Sequence, residues 1–262
     1  MLVGINQRLN PSALVSKIDR PVSLSGGTER TINGMRYHVI TTSSVLEVVN
    51  GGLVYALIVA GGGSKISNGG GGGGGLANYL PVAVPTGAKL NVVIGASPAL
   101  SSGGNTTLTC LRPATLTGGG GSATSGGSGG GCNSNGGGAG AGNTPAFIPS
   151  QGNNGSNSSY VGGGGGGFGG AAGFKDGAAG LALDADTQAL GALILSATHF
   201  SSGGGGNGDI MYGGTNGGGG PGAGRGGYGA DNTSASWYGC GAGGGPLNTV
   251  GYQGIVIIRY PV

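Results

Sequence analysis

The sequence predicts a mainly irregular and β protein, with a packed polyglycine helix sandwich inserted in a small β scaffold behind a small N-terminal module. Glycine makes up 71 of 262 residues, about four times its usual share of roughly 7%. The glycines recur in blocks separated by apolar and aromatic segments, and apolar strand-like runs flank the whole glycine-rich region. Because these runs fix both of its ends, the glycine-rich region is an insertion and not a tail.

A flexible linker is the first alternative, since glycine and serine runs usually form disordered spacers. Disordered chains are commonly rich in charge, whereas only 7% of this chain is charged. Collagen is excluded, because no strict Gly-X-Y period exists and only 11 residues are proline. A non-adhesive structural glycine-rich protein is kept as an alternative, since composition alone does not distinguish it from an adhesive one.

Residues 1–52 have near-normal composition and are assigned to the N-terminal module. A short helix capped by Ser12 fits between Pro11 and Pro21, and residues 37–40 and 45–49 have the pattern of short strands. A terminus without function would not need the apolar residues found here, so the module is expected to dock on another surface. These residues are Leu14, Val15, Ile18, Val22 and Leu24.

Residues 53–117 and 250–262 are assigned to the β scaffold. Strands are predicted over residues 53–60, 79–84, 89–94 and 254–260, with a turn at 85–88. The first and last of these strands flank residues 118–249, the predicted polyglycine domain. Residues 181–198 could form a short amphipathic helix, although Gly191 weakens that assignment.

Polyglycine can act as a scaffold when its extended helices pack side by side. Each helix has three residues per turn and no internal hydrogen bonds, so its N–H and C=O groups need partners in neighbouring helices. Neighbours approach closely enough only where no Cβ intervenes. Residues 162–173 would span about 37 Å at the rise of roughly 3.1 Å per residue, nearly twice the other runs. We therefore expect the chain to turn back at Phe168, and likewise at Pro221-Gly222, which would bring the aromatic loops to one common end.

Several kinds of chemistry find no support in the sequence. The net charge of +3 is small and unclustered, so no nucleic-acid footprint exists. Matches to G-x-G-x-x-G are expected by chance in so glycine-rich a chain, and none lies in a βαβ unit. Neither His38 nor His199 has Cys or Asp at ligand or triad spacing, and the three cysteines lack metal-ligand spacing, although one disulfide could form. We expect no enzyme activity, cofactor, metal or membrane insertion, and synthesis in a cytosol.

The loops between glycine blocks carry most of the aromatic residues outside the scaffold. Tyr and Trp offer large rigid contact areas, and Ser, Gly and Asn offer adaptable hydrogen bonds, as in antibody paratopes. Contact with a partner is expected for Tyr160, Tyr212, Trp237 and Tyr238. Phe168 and Phe174 are expected to cover the glycine helices instead.

Three stretches in this order carry a resemblance to a known family: LVYALIVAGGG, then LPVAVPTGAKLNVVIGA, and a terminal GIVIIRY after the glycine blocks. The chain resembles, over nearly its full length, the distal long-tail-fibre receptor-binding adhesins of T-even-type phages. The resemblance implies a polyglycine sandwich on the virion, at the tip of the long tail fibre, made in the host cytoplasm.

The resemblance also implies two partners. Residues 1–52 would attach to the trimeric distal subunit of the long tail fibre through the five apolar residues named above. The loops would bind a porin-like outer-membrane protein of the host. The candidate receptor-binding residues are Phe147, Tyr160, His199, Phe200, Met211, Tyr212, Trp237 and Tyr238. A polyglycine ice-binding protein is the rival interpretation, which the irregular aromatic loops and the apolar N-terminal segment disfavour.

Overall fold

The computed structural model describes residues 21–110, 114–116, 118–121, 123–133, 137–158, 161–208, 216–228 and 231–262. Two five-stranded antiparallel sheets pack face to face within these residues. The first sheet contains, in spatial order, β1 (Ser23–Ser25), β4 (Ser44–Asn50), β7 (Lys89–Val93), β8 (Thr106–Thr109) and β9 (Ala114–Leu116). The second contains β2 (Thr28–Ile32), β3 (Met35–Ile40), β12 (Ile255–Pro261), β5 (Gly52–Val59) and β6 (Leu76–Val84).

The second sheet is buried on both faces at its centre, which explains why β5 and β12 are almost uninterrupted apolar runs. Alternate residues point to opposite faces of a strand. Ile58 and Val256 therefore face the first sheet, in a first hydrophobic core, whereas Leu57 and Ile257 face the other side, in a second core. The predicted strands at 37–40, 45–49, 53–60, 79–84, 89–94 and 254–260 are confirmed, with small shifts of their ends.

Residues 181–200 cover the second core and are not the single helix predicted. The segment contains β10 (Leu181–Ala182), the four-residue helix α1 (Ala185–Gln188), a 3-10 turn (Gly191–Ile194) and β11 (His199–Phe200). Asp184 caps α1 by accepting a hydrogen bond from the Thr187 N–H. Gly191 then adopts φ +57°, which ends any continuous helix and lets Ile194 turn into the core.

The described part of the N-terminal region does not form a unit of its own. Strands β1 and β4 belong to the first sheet, and β2 and β3 belong to the second. Leu24 is 3% exposed in the first core, where Val22 packs against it. A module that ends at residue 52 is therefore not what residues 21–52 form, and the predicted helix at 12–20 lies outside the described residues.

The glycine blocks form a hydrogen-bonded array that we call the glycine lattice. Its segments are residues 60–64, 69–75, 118–121, 126–131, 162–167, 201–206, 217–220, 223–227 and 239–244. Successive backbone N–H groups of residues 60–65 donate to three different neighbouring segments, and the same order of segments repeats after three residues. The successive pairs are Ala60 to Gly75, Gly61 to Gly104, Gly62 to Tyr252, Gly63 to Gly72, Ser64 to Ser101 and Lys65 to Thr249. Donors three residues apart thus point in the same direction.

Residues 69–75 lie at the centre of the lattice. Their N–H groups donate to residues 118–121, 162–167 and 239–244, and their C=O groups accept from residues 60–64, 126–131 and 201–206. The segment therefore has six hydrogen-bonded neighbours. Such contacts pair the backbone groups of a segment that lacks side chains.

Glycine is a steric requirement in this array. A Cβ at Gly71 would lie well under 3.0 Å from the Gly63 carbonyl oxygen, and one at Gly165 would lie equally close to the Gly71 carbonyl oxygen. Real Cβ atoms do not approach backbone atoms this closely. Any other residue at these positions must push two lattice segments apart.

Both predicted reversals of the chain are confirmed. Gly167 pairs with Gly170 across a turn at Phe168. Pro221 and Gly222 occupy the central positions of a second turn, which the Ala223 N–H closes by donating to the Gly220 C=O. Gly222 has φ +74°, a conformation that glycine accepts readily after proline in such a turn.

Candidate interaction surface

The lattice has two ends that differ in what they carry. The chain enters it from β5, reverses at residues 64–69 and returns to β6, so this reversal lies opposite the sheets. We call the end of the lattice that carries this reversal the loop end, and the end that joins β5 and β6 the sheet end. Hydrogen bonds join the described connections at the loop end, for example Asn207 N–H to the Asn68 C=O and Ser64 N–H to the Ser101 C=O.

Several predicted receptor residues lie at the sheet end, within the second core. Phe200 is 0% exposed and Tyr238 5% exposed, and their rings meet edge to face with centroids 6.0 Å apart. Trp237 is half-buried against the same core, beside the turn at Gly222. Phe200 and Tyr238 therefore serve packing and offer no surface to a partner.

Phe147 and His199 are also at the sheet end. Phe147 packs partly against the first core, in a connection that reaches β6 through the hydrogen bond from the Leu76 N–H to the Gln151 C=O. His199 lies in β11, with Nδ1 3.0 Å from the Thr198 hydroxyl. The described candidates thus share the sheet end and not the loop end, because the chain passes through the lattice before reaching each of them.

The remaining predicted residues lie outside the described part of the chain. These are Tyr160, Met211 and Tyr212 among the receptor candidates and Leu14, Val15 and Ile18 among the attachment candidates. The described residues that flank the three receptor candidates are at the loop end: Gly162 N–H donates to the Asn207 C=O there, and Gly217 N–H donates to the Gly206 C=O.

The loop end carries exposed apolar side chains that sequence reasoning did not select. Phe174, expected to cover the lattice, is 62% exposed, whereas Phe168 packs against the second core as expected of a covering residue. The exposed apolar residues at the loop end are Ile66, Leu100, Phe174, Tyr228 and Leu247. In the sequence these positions could be recognised as single large apolar residues within short polar or glycine stretches, as in SKISN and GPLNT.

A depression of about 500 Å³ opens at the sheet end, on the side of the second sheet that carries α1. Its lining residues are Met35, Tyr55, Asp184, Ala185, Asp186 and Arg259. The Arg259 guanidinium lies 3.5 Å from the centre of the Tyr79 ring and 3.0 Å from an Asp184 carboxylate oxygen. Burial raises the pKa of Tyr79 to about 12. Burial alone would raise the pKa of Asp184, but hydrogen bonds from Thr187 and Arg259 hold it below its ordinary value. These charges are engaged in capping and ion pairing.

The three cysteines are free, and burial raises the pKa of Cys240 to about 11. No group of three or more His, Cys, Asp or Glu side chains suited to a metal ion occurs among the described residues. Over the same residues, every helix is too short to cross a bilayer.

A family model described as a glycine-rich domain matches residues 41–261. The chain belongs to this family. The match to the glycine-rich domain covers the lattice, most of both cores and most of the strands, and it begins just after β3. No curated protein and no solved structure matches the chain with significance.

Proposed function

We propose that this glycine-rich domain is a non-enzymatic receptor-binding adhesin at the tip of a phage long tail fibre. The observation that carries the proposal is the polarity of the molecule. β1 begins at Ser23, which pairs with Asn50. Both residues lie at the ends of the strands farthest from the lattice, because β5 starts there at Gly52 and enters the lattice after Val59. The described connections at the loop end lie on the opposite side of the molecule. An adhesin needs this arrangement, with attachment at one end and recognition at the other.

The lattice segments are, in this proposal, polyglycine II helices packed as a sandwich. Two observations support it: donors repeat every three residues along 60–65, and residues 69–75 have six hydrogen-bonded neighbours. A helix with three residues per turn sends its N–H groups in three directions and receives bonds from three others. Such a scaffold holds the loops rigidly, which lowers the entropy that binding would otherwise cost.

Attachment to the trimeric distal fibre subunit is assigned to the residues that precede Pro21, with Leu14, Val15 and Ile18 as the contacts. Val22 and Leu24 have a different part in the proposal. They anchor this segment to the first core, where the Leu24 N–H donates to the Tyr260 hydroxyl at 3.1 Å. A particle protein of this kind would be made in the host cytoplasm and reside on the virion.

Recognition of a porin-like outer-membrane protein is assigned to the loop end. Tyr160, Met211 and Tyr212 stay in the proposed contact set, because their described neighbours along the chain are at that end. Phe200 and Tyr238 leave it, since they are buried. Phe174 and Tyr228, which are 62% and 52% exposed, enter it.

Binding of the purified, fluorescently labelled chain to intact cells of a panel of Gram-negative strains tests the proposal. We expect saturable binding to some strains and none to others, and we expect Tyr212→Ser together with Phe174→Ser to weaken it. Leu14→Ser together with Ile18→Ser is the matched control, which should leave cell binding unchanged. Binding to no strain, or equal binding to all of them, would contradict an adhesin.

A further inference from the structure

We infer that one corner of the loop end, formed by Ile66, Leu100 and Leu247, selects an apolar protein surface as the partner. We call these three residues the aliphatic patch. The inference rests on the proposed adhesin function and specifies the chemistry that the loop end recognises. It also adds residues from the connections between strands β5 and β6, between β7 and β8, and before β12. The sequence had assigned the contact surface to the aromatic loops alone.

Three separate connections meet at this corner. The Ser64 N–H donates to the Ser101 C=O at 2.9 Å, and the Lys65 N–H donates to the Thr249 C=O at 3.2 Å. Ile66 directly follows Lys65, and Leu100 directly precedes Ser101. Leu247 accepts a hydrogen bond at its C=O from the Thr249 N–H. The fold therefore brings these residues together from sequence positions up to 181 residues apart.

Contacts with Gly121 and Asn232 hold two residues of the patch in place. Ile66 lies over Gly121, since a Cβ at Gly121 would meet the Ile66 side chain and then the backbone of Ser101. The Asn232 side chain accepts from the Leu247 N–H at 3.1 Å and donates to the Leu247 C=O at 2.9 Å. Backbones held in this way present their side chains in a fixed arrangement, as binding residues require.

The patch is exposed, and one of its residues is strained. Ile66 is 40% exposed, Leu100 50% and Leu247 45%. Leu100 also has φ +54°, a conformation that is uncommon for a bulky residue other than glycine. Strain of this kind, held on an exposed apolar side chain, is typical of functional loops.

The chemistry of the corner favours a protein over other components of a cell surface. Lys65 is only 9% exposed, and it is the one charged residue within the three connections that carry the patch, residues 64–69, 96–104 and 245–250. Phosphate groups of lipopolysaccharide are bound by clusters of Arg and Lys, and sugar rings are usually stacked on flat aromatic faces. Branched aliphatic side chains instead pack against apolar side chains of a protein, as at the centres of protein interfaces.

The test uses a strain that the unsubstituted full-length chain binds, and outer-membrane vesicles prepared from it. The patch variant carries Ile66→Ser, Leu100→Asn and Leu247→Ser, where Asn is chosen because it tolerates positive φ. The control variant carries Val45→Ser, Val49→Ser and Val93→Ser, three aliphatic residues with 51%, 54% and 50% exposure on the outer face of the first sheet. Leu247→Glu alone is a second variant, in case the triple substitution alters folding, which thermal unfolding measures.

We expect the patch variant and Leu247→Glu each to lose about tenfold or more in affinity for the vesicles, while the control variant binds like the unsubstituted chain. Prior digestion of the vesicles with protease should abolish binding, and purified lipopolysaccharide from the same strain should not compete. Full binding by either patch variant would overturn the inference while leaving the adhesin proposal intact. An equal loss in the control variant, or competition by lipopolysaccharide, would overturn it too. Failure of the unsubstituted chain to bind any strain would instead refute the proposed function.

Discussion

The paired sheets and the glycine lattice are ordered by opposite means. In the sheets, fully buried side chains such as Leu57, Ile257 and Tyr260 fill the space between backbones. In the lattice the backbones themselves are in contact, and hydrogen bonds replace side-chain packing. A hydrophobic core can rearrange when one apolar residue replaces another. The lattice has no side chains to rearrange, so a single added carbon should disturb it.

The largest effect is expected from a methyl group inside the lattice. Gly165→Ala would press a Cβ against the Gly71 carbonyl, and we expect it to lower the free energy of unfolding by more than about 4 kcal/mol. Gly170→Ala, in the same glycine run, has nothing within 4 Å of the new Cβ and should change it by less than about 1 kcal/mol. Chemical denaturation followed by circular dichroism measures both, and equal stability of the two variants would disprove the steric account.

A smaller effect is expected in the cores, and it should depend on volume. Ile257→Ala removes buried methyl groups and should cost about 2–5 kcal/mol, whereas Ile257→Leu should cost less than about 1.5 kcal/mol. Val45→Ala, on the exposed face of the first sheet, is the control and should be nearly neutral. The same denaturation assay would contradict the comparison if Ile257→Leu proved as damaging as Gly165→Ala.

The smallest effect concerns the pH dependence of stability and His38, which is 0% exposed between the sheets. Its Nδ1–H donates to the Gly26 C=O at 2.7 Å, and its Nε2 accepts from the Tyr260 hydroxyl at 2.9 Å. Burial lowers the pKa of His38 below its ordinary 6.5, although the Gly26 carbonyl and Glu29 oppose the shift. The unfolded chain therefore binds a proton at higher pH than the folded chain does. The neutral ring contributes stability above pH 6.5 that is lost as the pH falls through and below that value.

Unfolding free energies measured between pH 8 and pH 5 test this sign. The wild type should lose stability over that range by about 1.4 kcal/mol for each unit of difference between the folded and unfolded pKa values. His38→Phe should be less stable overall but flatter with pH. The same slope in both proteins would show that His38 is not the group responsible.

Sequence reasoning identified the features that depend on local chemistry. Apolar runs marked β5 and β12, and the turns at Phe168 and Pro221 followed from the length of a glycine helix. It missed β2, whose sequence TERTI is mostly polar because the strand is exposed at a sheet edge. It also divided the N-terminal region from the scaffold, because the pairing of β3 with β12 joins residues more than 200 positions apart.

The candidate surface was harder to predict than the fold. Glycine blocks are alike in sequence, so nothing local shows which segments are neighbours or which end a loop reaches. Residues 231–236 run alongside the lattice, where the Thr233 N–H donates to the Arg225 C=O, and this pass brings Trp237 and Tyr238 to the second core. Ile66 and Leu100 were overlooked for the same reason, since only the arrangement of passes brings their short polar stretches to the loop end.

Amide hydrogen exchange distinguishes an ordered glycine lattice from flexible spacers. If the lattice is an ordered scaffold, the N–H groups of residues 69–75, 162–167 and 201–206 should be protected to the same degree as those of β5 and β12. The exposed edge strand β2 should exchange faster than either. Near-complete exchange of the glycine segments at the rate of an unfolded chain, while β5 and β12 stay protected, would show that the glycines are flexible spacers and would contradict the account.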